Sequence, residues 1–176
     1  EYIQSLEELQ TASGFHFNNV NLLMDAFIHR SYLNENPAIS LQSNERLEFL
    51  GDAIIGFIIT ERLFREFPQL NEGEMTRLRS QIVCQEGLSA LARQMNLGKY
   101  LLLSKGESLT GGRDRDSNLA RTFEAFTGAI YLDQGLPSVK DFLFGKIITQ
   151  EIAALMTSET FDFKSRLQEY TQAKYQ

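Results

Sequence analysis

Asn44-Glu45-Arg46-Leu47-Glu48-Phe49-Leu50-Gly51-Asp52 is the stretch on which the reading of this chain turns. It lies near the start of a run over 43–67 that contains no proline and stops before Pro68, which predicts one long helix. At about 1.5 Å of rise per residue that helix is roughly 35 Å long. Glu45, Glu48 and Asp52 fall at i, i+3 and i+7, so their carboxylates share one face. Leu47, Phe49, Leu50, Ala53, Ile54, Ile55, Phe57, Ile58 and Ile59 make the same segment apolar almost all round, the pattern of a central helix. Two like charges about 5 Å apart repel by about 3 kcal/mol at an effective dielectric near 20. Stacked acids on such a helix therefore call for a dication, a basic partner or a raised pKa. Carboxylates with retained water suit Mg²⁺; a solvated acid stripe, or a core cluster ion-paired with Arg46 or another base, is the ordinary alternative.

Other blocks accompany this one. His29-Arg30-Ser31 precedes it; Phe67-Pro68 and Asn71-Glu72-Gly73-Glu74-Met75 follow. Further on come Gly111-Gly112, the run Phe123-Glu124-Ala125-Phe126-Thr127-Gly128-Ala129-Ile130-Tyr131-Leu132-Asp133, and Phe163-Lys164-Ser165-Arg166-Leu167-Gln168-Glu169-Tyr170. Together they resemble the ribonuclease III family over roughly residues 5–173, and the nonapeptide resembles that family's signature. The resemblance implies an all-α endonuclease domain, a helical bundle around a long central helix.

Composition agrees with one soluble domain. The chain has 176 residues, 43% of them hydrophobic, and three prolines. Glu61 and Arg62 interrupt the longest apolar run, so no membrane-spanning segment is expected. Cys84 is the one cysteine, which excludes an internal disulfide and leaves a core position as its simplest reading. No basic-apolar leader stands at Glu1, and a cytoplasmic location is expected. The net charge of −6 is unusual for a nucleic-acid binder. Metal ions masking some acids, basic patches, or a further domain would relieve it.

Periodicity predicts an amphipathic helix over 2–12, a helix capped by Asn21, and a loop over 34–42. Asn71 and Glu74 form a capping-box pattern opening a helix to about Cys84. Another helix is expected over 86–95, then a polar loop over 104–118 with Gly111-Gly112 as a hinge. A second buried helix over 119–135 and one capped by Ser138 running toward Met156 follow. A connection over 157–162 leads to a final helix from about Phe163.

The resemblance implies metal-dependent hydrolysis of double-stranded RNA by Mg²⁺, with Mn²⁺ as a substitute, giving 5′-phosphate and 3′-hydroxyl ends in RNA processing. It implies that Glu48, Asp52 and Glu124 hold the metal, and that Asp52, Glu124, Glu45 and Glu72 belong to the catalytic set. Glu72 also reads as an ordinary first-turn helix acid favoured by the macrodipole. His29 reads either as a base or, more simply, as a structural histidine. Lys105, Arg113 and Arg115 form a modest basic cluster that would follow an RNA backbone, or a solvated face.

One position departs from the family pattern. Ala120-Arg121 stands where Ala-Asp is usual, and Arg121 shares a helical face with Glu124. The expected arrangement has the long Arg121 side chain turned away, leaving three carboxylates for the metal. The alternatives are a guanidinium resident among the acids, giving an impaired family member that acts as an RNA-binding or ribonucleoprotein component, or one aimed at RNA phosphate. Asp114 and Asp116 fall on the loop and are not taken as replacement ligands. The resemblance also implies a homodimer with one site per strand and staggered cuts leaving short 3′ overhangs. Phe49 is a candidate for the two-fold contact. The domain is expected over 1–173, with 174–176 beginning a linker to a double-stranded-RNA-binding domain outside this chain.

Overall fold

The computed structural model describes residues 2–145. In order come α1 (Tyr2–Ser13), α2 (Val20–Asp25), α3 (Arg30–Glu35), α4 (Glu45–Glu66), α5 (Glu72–Ile82), α6 (Gln85–Gln94), a 3₁₀ turn (Leu97–Tyr100), α7 (Lys105–Leu109) and α8 (Asp116–Phe144). The architecture is all-α, as expected. Among the described residues, pairing of the β type is limited to one parallel bridge between Ile28 and Leu102. The helix expected from a Ser138 cap is part of α8 as far as Phe144, and Ser138 lies within it, its hydroxyl donating to the Gln134 carbonyl at 3.5 Å. The continuation toward Met156, the connection over 157–162 and the final helix lie outside the described residues.

Two long helices organise the bundle. α4 packs along α8; α6 and α2 lie against α8, and α5 lies against α4. Ile54, Ile55, Ile58, Ile59 and Leu63 of α4 meet Phe123, Ala125, Phe126, Ala129 and Ile130 of α8 in the buried core. Phe126 stacks against Phe17, Phe27 and Phe142 at centroid distances of 5.8, 5.9 and 5.4 Å. α4 stops at Phe67, ahead of Pro68, for the reason read from the sequence. α8 breaks at Gly135, whose φ of +81° suits glycine.

Two glycines let the long helices touch. A Cβ built on Gly51 would lie 1.8 Å from the Glu124 carbonyl oxygen, and one on Gly128 would lie 2.4 Å from that of Leu47. The backbones of α4 and α8 are therefore in direct contact where the signature passes Glu124. No side chain other than hydrogen fits there.

Several local expectations are corrected. Asn19, rather than Asn21, caps α2, its side chain accepting from the Asn21 N–H. The choice is long-range: Asp133 accepts the N–H groups of Asn18 and Asn19, both at 2.8 Å. Cys84 is a half-buried cap of α6, its Sγ accepting from the Gly87 N–H, rather than a core residue. The 104–118 loop contains α7, and Gly111-Gly112 forms a turn, with Gly111 at a φ of +78°. Gly112 is buried against the Glu107 carbonyl, and Asn118 donates to both the Gly112 carbonyl and the Glu107 carboxylate. Asp116 begins α8 and pairs with Arg93. The Asn71–Glu74 capping box is present as read.

Candidate active site

The crossing of α4 and α8 holds the pocket that the sequence pointed to. Glu45, Glu48, Phe49 and Asp52 from α4 and Arg121 and Glu124 from α8 line an open cleft of about 490 Å³. Glu48 and Asp52 lie one turn apart on α4, while Gly51 between them rests on the Glu124 backbone. The glycine contact thus sets acids from two helices side by side. Glu45 and Glu48 occupy the first turn of α4, where the positive end of the helix dipole offsets part of their charge. Asn44 anchors that end: its N–H donates to the Ile28 carbonyl at 2.9 Å and its amide to the Ala26 carbonyl at 3.2 Å.

Glu124 lies mid-helix, without such help. Burial, then the negative charges of Asp52 and Glu48, push its carboxyl up to about 7, with Arg121 opposing. Glu48 is raised as well, first by burial and then by Glu45 and Asp52, against the pull of Arg121. Arg121 does not turn away from these acids. Its Nε lies 3.6 Å from Glu48 Oε1, and the guanidinium lines the same cleft. The expected outward orientation gives way because the uncompensated carboxylates attract the nearest base. Arg46 is not their partner; it reaches Gln42 at 3.4 Å. Arg30, unremarked as a partner in the sequence, pairs with Glu45 at 3.8 Å.

The other site candidates lie apart from the cleft lining. Glu72 is exposed in the first turn of α5 and accepts from the Thr76 hydroxyl at 3.3 Å, as an ordinary first-turn acid does. His29 caps α3: its Nδ1 accepts from the Ser31 N–H, and burial lowers its pKa. The Ser31 hydroxyl in turn accepts the Ser104 N–H, so the His-Arg-Ser element ties α3 to the segment before α7. Arg113 donates through Nη1 to the carbonyls of Gly98, Lys99 and Leu101 at 3.0, 3.1 and 2.7 Å, and so clamps the 3₁₀ turn. Arg115 is ion-paired with Glu107. Lys105 is exposed, its backbone N–H bound to Glu35.

The donors suit a hard divalent cation. They are carboxylate oxygens, burial and then mutual repulsion raise the pKa values of Glu48 and Glu124, and they open to water. Among the described residues no group of three or more acids, histidines or cysteines is gathered closely enough to hold a metal ion by itself. That arrangement fits an ion that keeps several waters and takes one or two carboxylates.

Residues 19–151 match the family described as Ribonuclease-III-like. The chain belongs to this family. Ribonuclease 3 of Anoxybacillus flavithermus is 48% identical over 166 residues, covering 94% of this chain and 69% of that protein. Ribonuclease 3 of Dehalococcoides mccartyi is 46% identical over 171 residues, covering 97% of this chain and 72% of that protein. Among solved structures, the ribonuclease III nuclease domain of Campylobacter jejuni superposes with a TM-score of 0.75 at 33% identity, covering 82% of this chain and 96% of that one. That structure is described as showing flexibility in a region involved in dimer formation. Dicer of Pichia stipitis superposes with a TM-score of 0.60 at 26% identity, over 80% of this chain and 59% of that one. The ribonuclease III-type bundle and the endoribonuclease class read from the signature stand with the family.

Proposed function

We propose that this domain is a divalent-metal-dependent endoribonuclease that cuts double-stranded RNA, working as a homodimer. The observation that carries the reading is the meeting of Glu45, Glu48 and Asp52 with Glu124 in one cleft at a helix crossing. Glu48, Asp52 and Glu124 would hold the ion, Mg²⁺ or Mn²⁺. When bound, it supplies charge neutralisation at the scissile phosphate and activates water for attack. The acids of this chain would orient the hydrated site, with the half-exposed Glu45 beside Glu48 in the lining. Water oxygen bonds to phosphorus, the phosphorus–O3′ bond breaks, and a proton passes to O3′. The products are a 5′-phosphate and a 3′-hydroxyl. Glu72 belongs to this reading only as a residue outside the cleft lining.

A dimer would cover a face that the described residues leave exposed. Phe49, Phe57 and Phe64 of α4 are 82, 55 and 72% exposed on one side of the helix. Three exposed phenylalanines in a row mark a contact surface. Phe49 also lines the acidic cleft, so a second copy seated there would wall the site. Two such sites, one per strand, give staggered cuts with short 3′ overhangs.

The Arg121–Glu48 ion pair favours a second reading, an impaired relative serving as an RNA-binding or ribonucleoprotein component. Cleavage of long duplex RNA in Mg²⁺, with end-group analysis, tests both. The nuclease reading expects cleavage by the unaltered chain and a loss of at least about 100-fold in Glu124→Gln. Cleavage by Arg121→Asp alone supports the second reading.

A further inference from the structure

Arg121 sits in a cleft where charge balance is short. Among the described residues four acids line it, and Arg121 is the one base in that lining. Its guanidinium is 3.6 Å from Glu48 Oε1, while the side chain stays 56% exposed. It is thus held by the acids and not by burial. One turn earlier, Asn118 is fixed by Glu107 and the Gly112 carbonyl, which sets where this part of α8 starts. Arg30 reaches one cleft acid from outside the lining, Glu45 at 3.8 Å, while Arg115 is engaged on Glu107 and Arg46 on Gln42.

We propose that Arg121 is a tethered counter-cation, whose guanidinium occupies part of the space and neutralises part of the charge that a divalent ion would take between Glu48, Asp52 and Glu124. The inference rests on the reading of this cleft as a divalent-cation site, and it deepens that reading by naming what regulates occupancy. Two consequences follow from one charge. Without metal, Arg121 offsets part of the repulsion among the acids where α4 and α8 cross. With metal, the ion must displace or repel a fixed positive group, so binding is weaker than the same carboxylates alone would give. Arg121 tunes affinity here and is not a catalytic residue.

Mn²⁺ titration of the full chain, followed by electron paramagnetic resonance, tests this without RNA. Arg121→Gln removes the charge and keeps a polar side chain; Arg121→Lys keeps the charge and removes the fork. The expected result is Mn²⁺ affinity at least about tenfold higher in Arg121→Gln than in the parent, with Arg121→Lys within about threefold of the parent. Thermal melting without metal supplies a second readout: Arg121→Gln melts below the parent, and Mn²⁺ restores it by more than it shifts the parent. Equal Mn²⁺ affinity in parent and Arg121→Gln overturns the proposal, as does a gain in Arg121→Lys equal to that in Arg121→Gln. Bound Mn²⁺ with no RNA cleavage by any form would defeat the nuclease reading and leave this inference standing. Cleavage by the parent with affinities unchanged by substitution would do the reverse.

Discussion

Replacing Gly51 by alanine tests how the site is assembled. The added Cβ would lie 1.8 Å from the Glu124 carbonyl oxygen, where a close carbon–oxygen contact is roughly 3.3 Å. α4 and α8 must separate by about 1.5 Å, because the obstruction is backbone and cannot swing aside. Close-packed interiors do not absorb that smoothly. Overpacking costs about 1–3 kcal/mol, and this site belongs at the upper end, about 3 kcal/mol. For a chain of this size that is a fall of roughly 6–12 °C in Tm. Gly56 is the internal comparison, five positions along the same helix, with nothing within 4 Å of its built Cβ. Gly56→Ala should stabilise by up to about 1 kcal/mol, because alanine is the better helix former. Thermal and urea melts of the two variants give the answer. Gly51→Ala melting at or above the parent would refute the claim that direct backbone contact at Gly51 builds the cleft.

Three further outcomes are expected. Arg113→Ala should lower stability by about 2 kcal/mol in urea melts, because three carbonyls of the 3₁₀ turn lose a charged donor. Asn71→Ala should cost about 1 kcal/mol by removing the capping box of α5. Glu124 carries a pH signature of unusual sign. Its folded pKa, about 7, lies above its ordinary value, so the folded state holds the proton more tightly between pH 4.5 and about 7. The Glu124 contribution therefore reduces stability as pH rises through that window in metal-free buffer. Melts of Glu124→Gln should show a shallower decline, the raised Glu48 remaining, and exceed the parent at pH 8; a parallel pH profile in parent and variant would contradict it.

The parts of this molecule that the sequence disclosed are those whose cause is local. α4 follows from unbroken apolar spacing and a proline stop, and the capping box of α5 from residues three apart. The acid face of α4 was equally legible, since i, i+3 and i+7 are fixed by helix geometry. What stayed hidden depends on partners distant in the chain. Asn18, Asn19 and Asn21 are equivalent as caps until Asp133 selects among them through the N–H groups of Asn18 and Asn19. Arg113 and Arg115 read as free charge, whereas the 3₁₀ turn and Glu107 claim them. The direction of Arg121 was missed because it is decided by Glu48 on another helix. The all-round apolarity of α4 signalled a buried helix, yet Phe49, Phe57 and Phe64 face outward. An apolar pattern records that a face is to be covered, and not whether this chain or a second copy covers it.

Diffraction from crystals soaked in Mn²⁺, recorded where manganese scatters anomalously, tests the central claim most directly. The account predicts an anomalous peak between α4 and α8, bonded to carboxylate oxygens of Asp52 and Glu124, stronger in Arg121→Gln than in the parent. A cleft without that peak in both proteins, at saturating Mn²⁺, would contradict it.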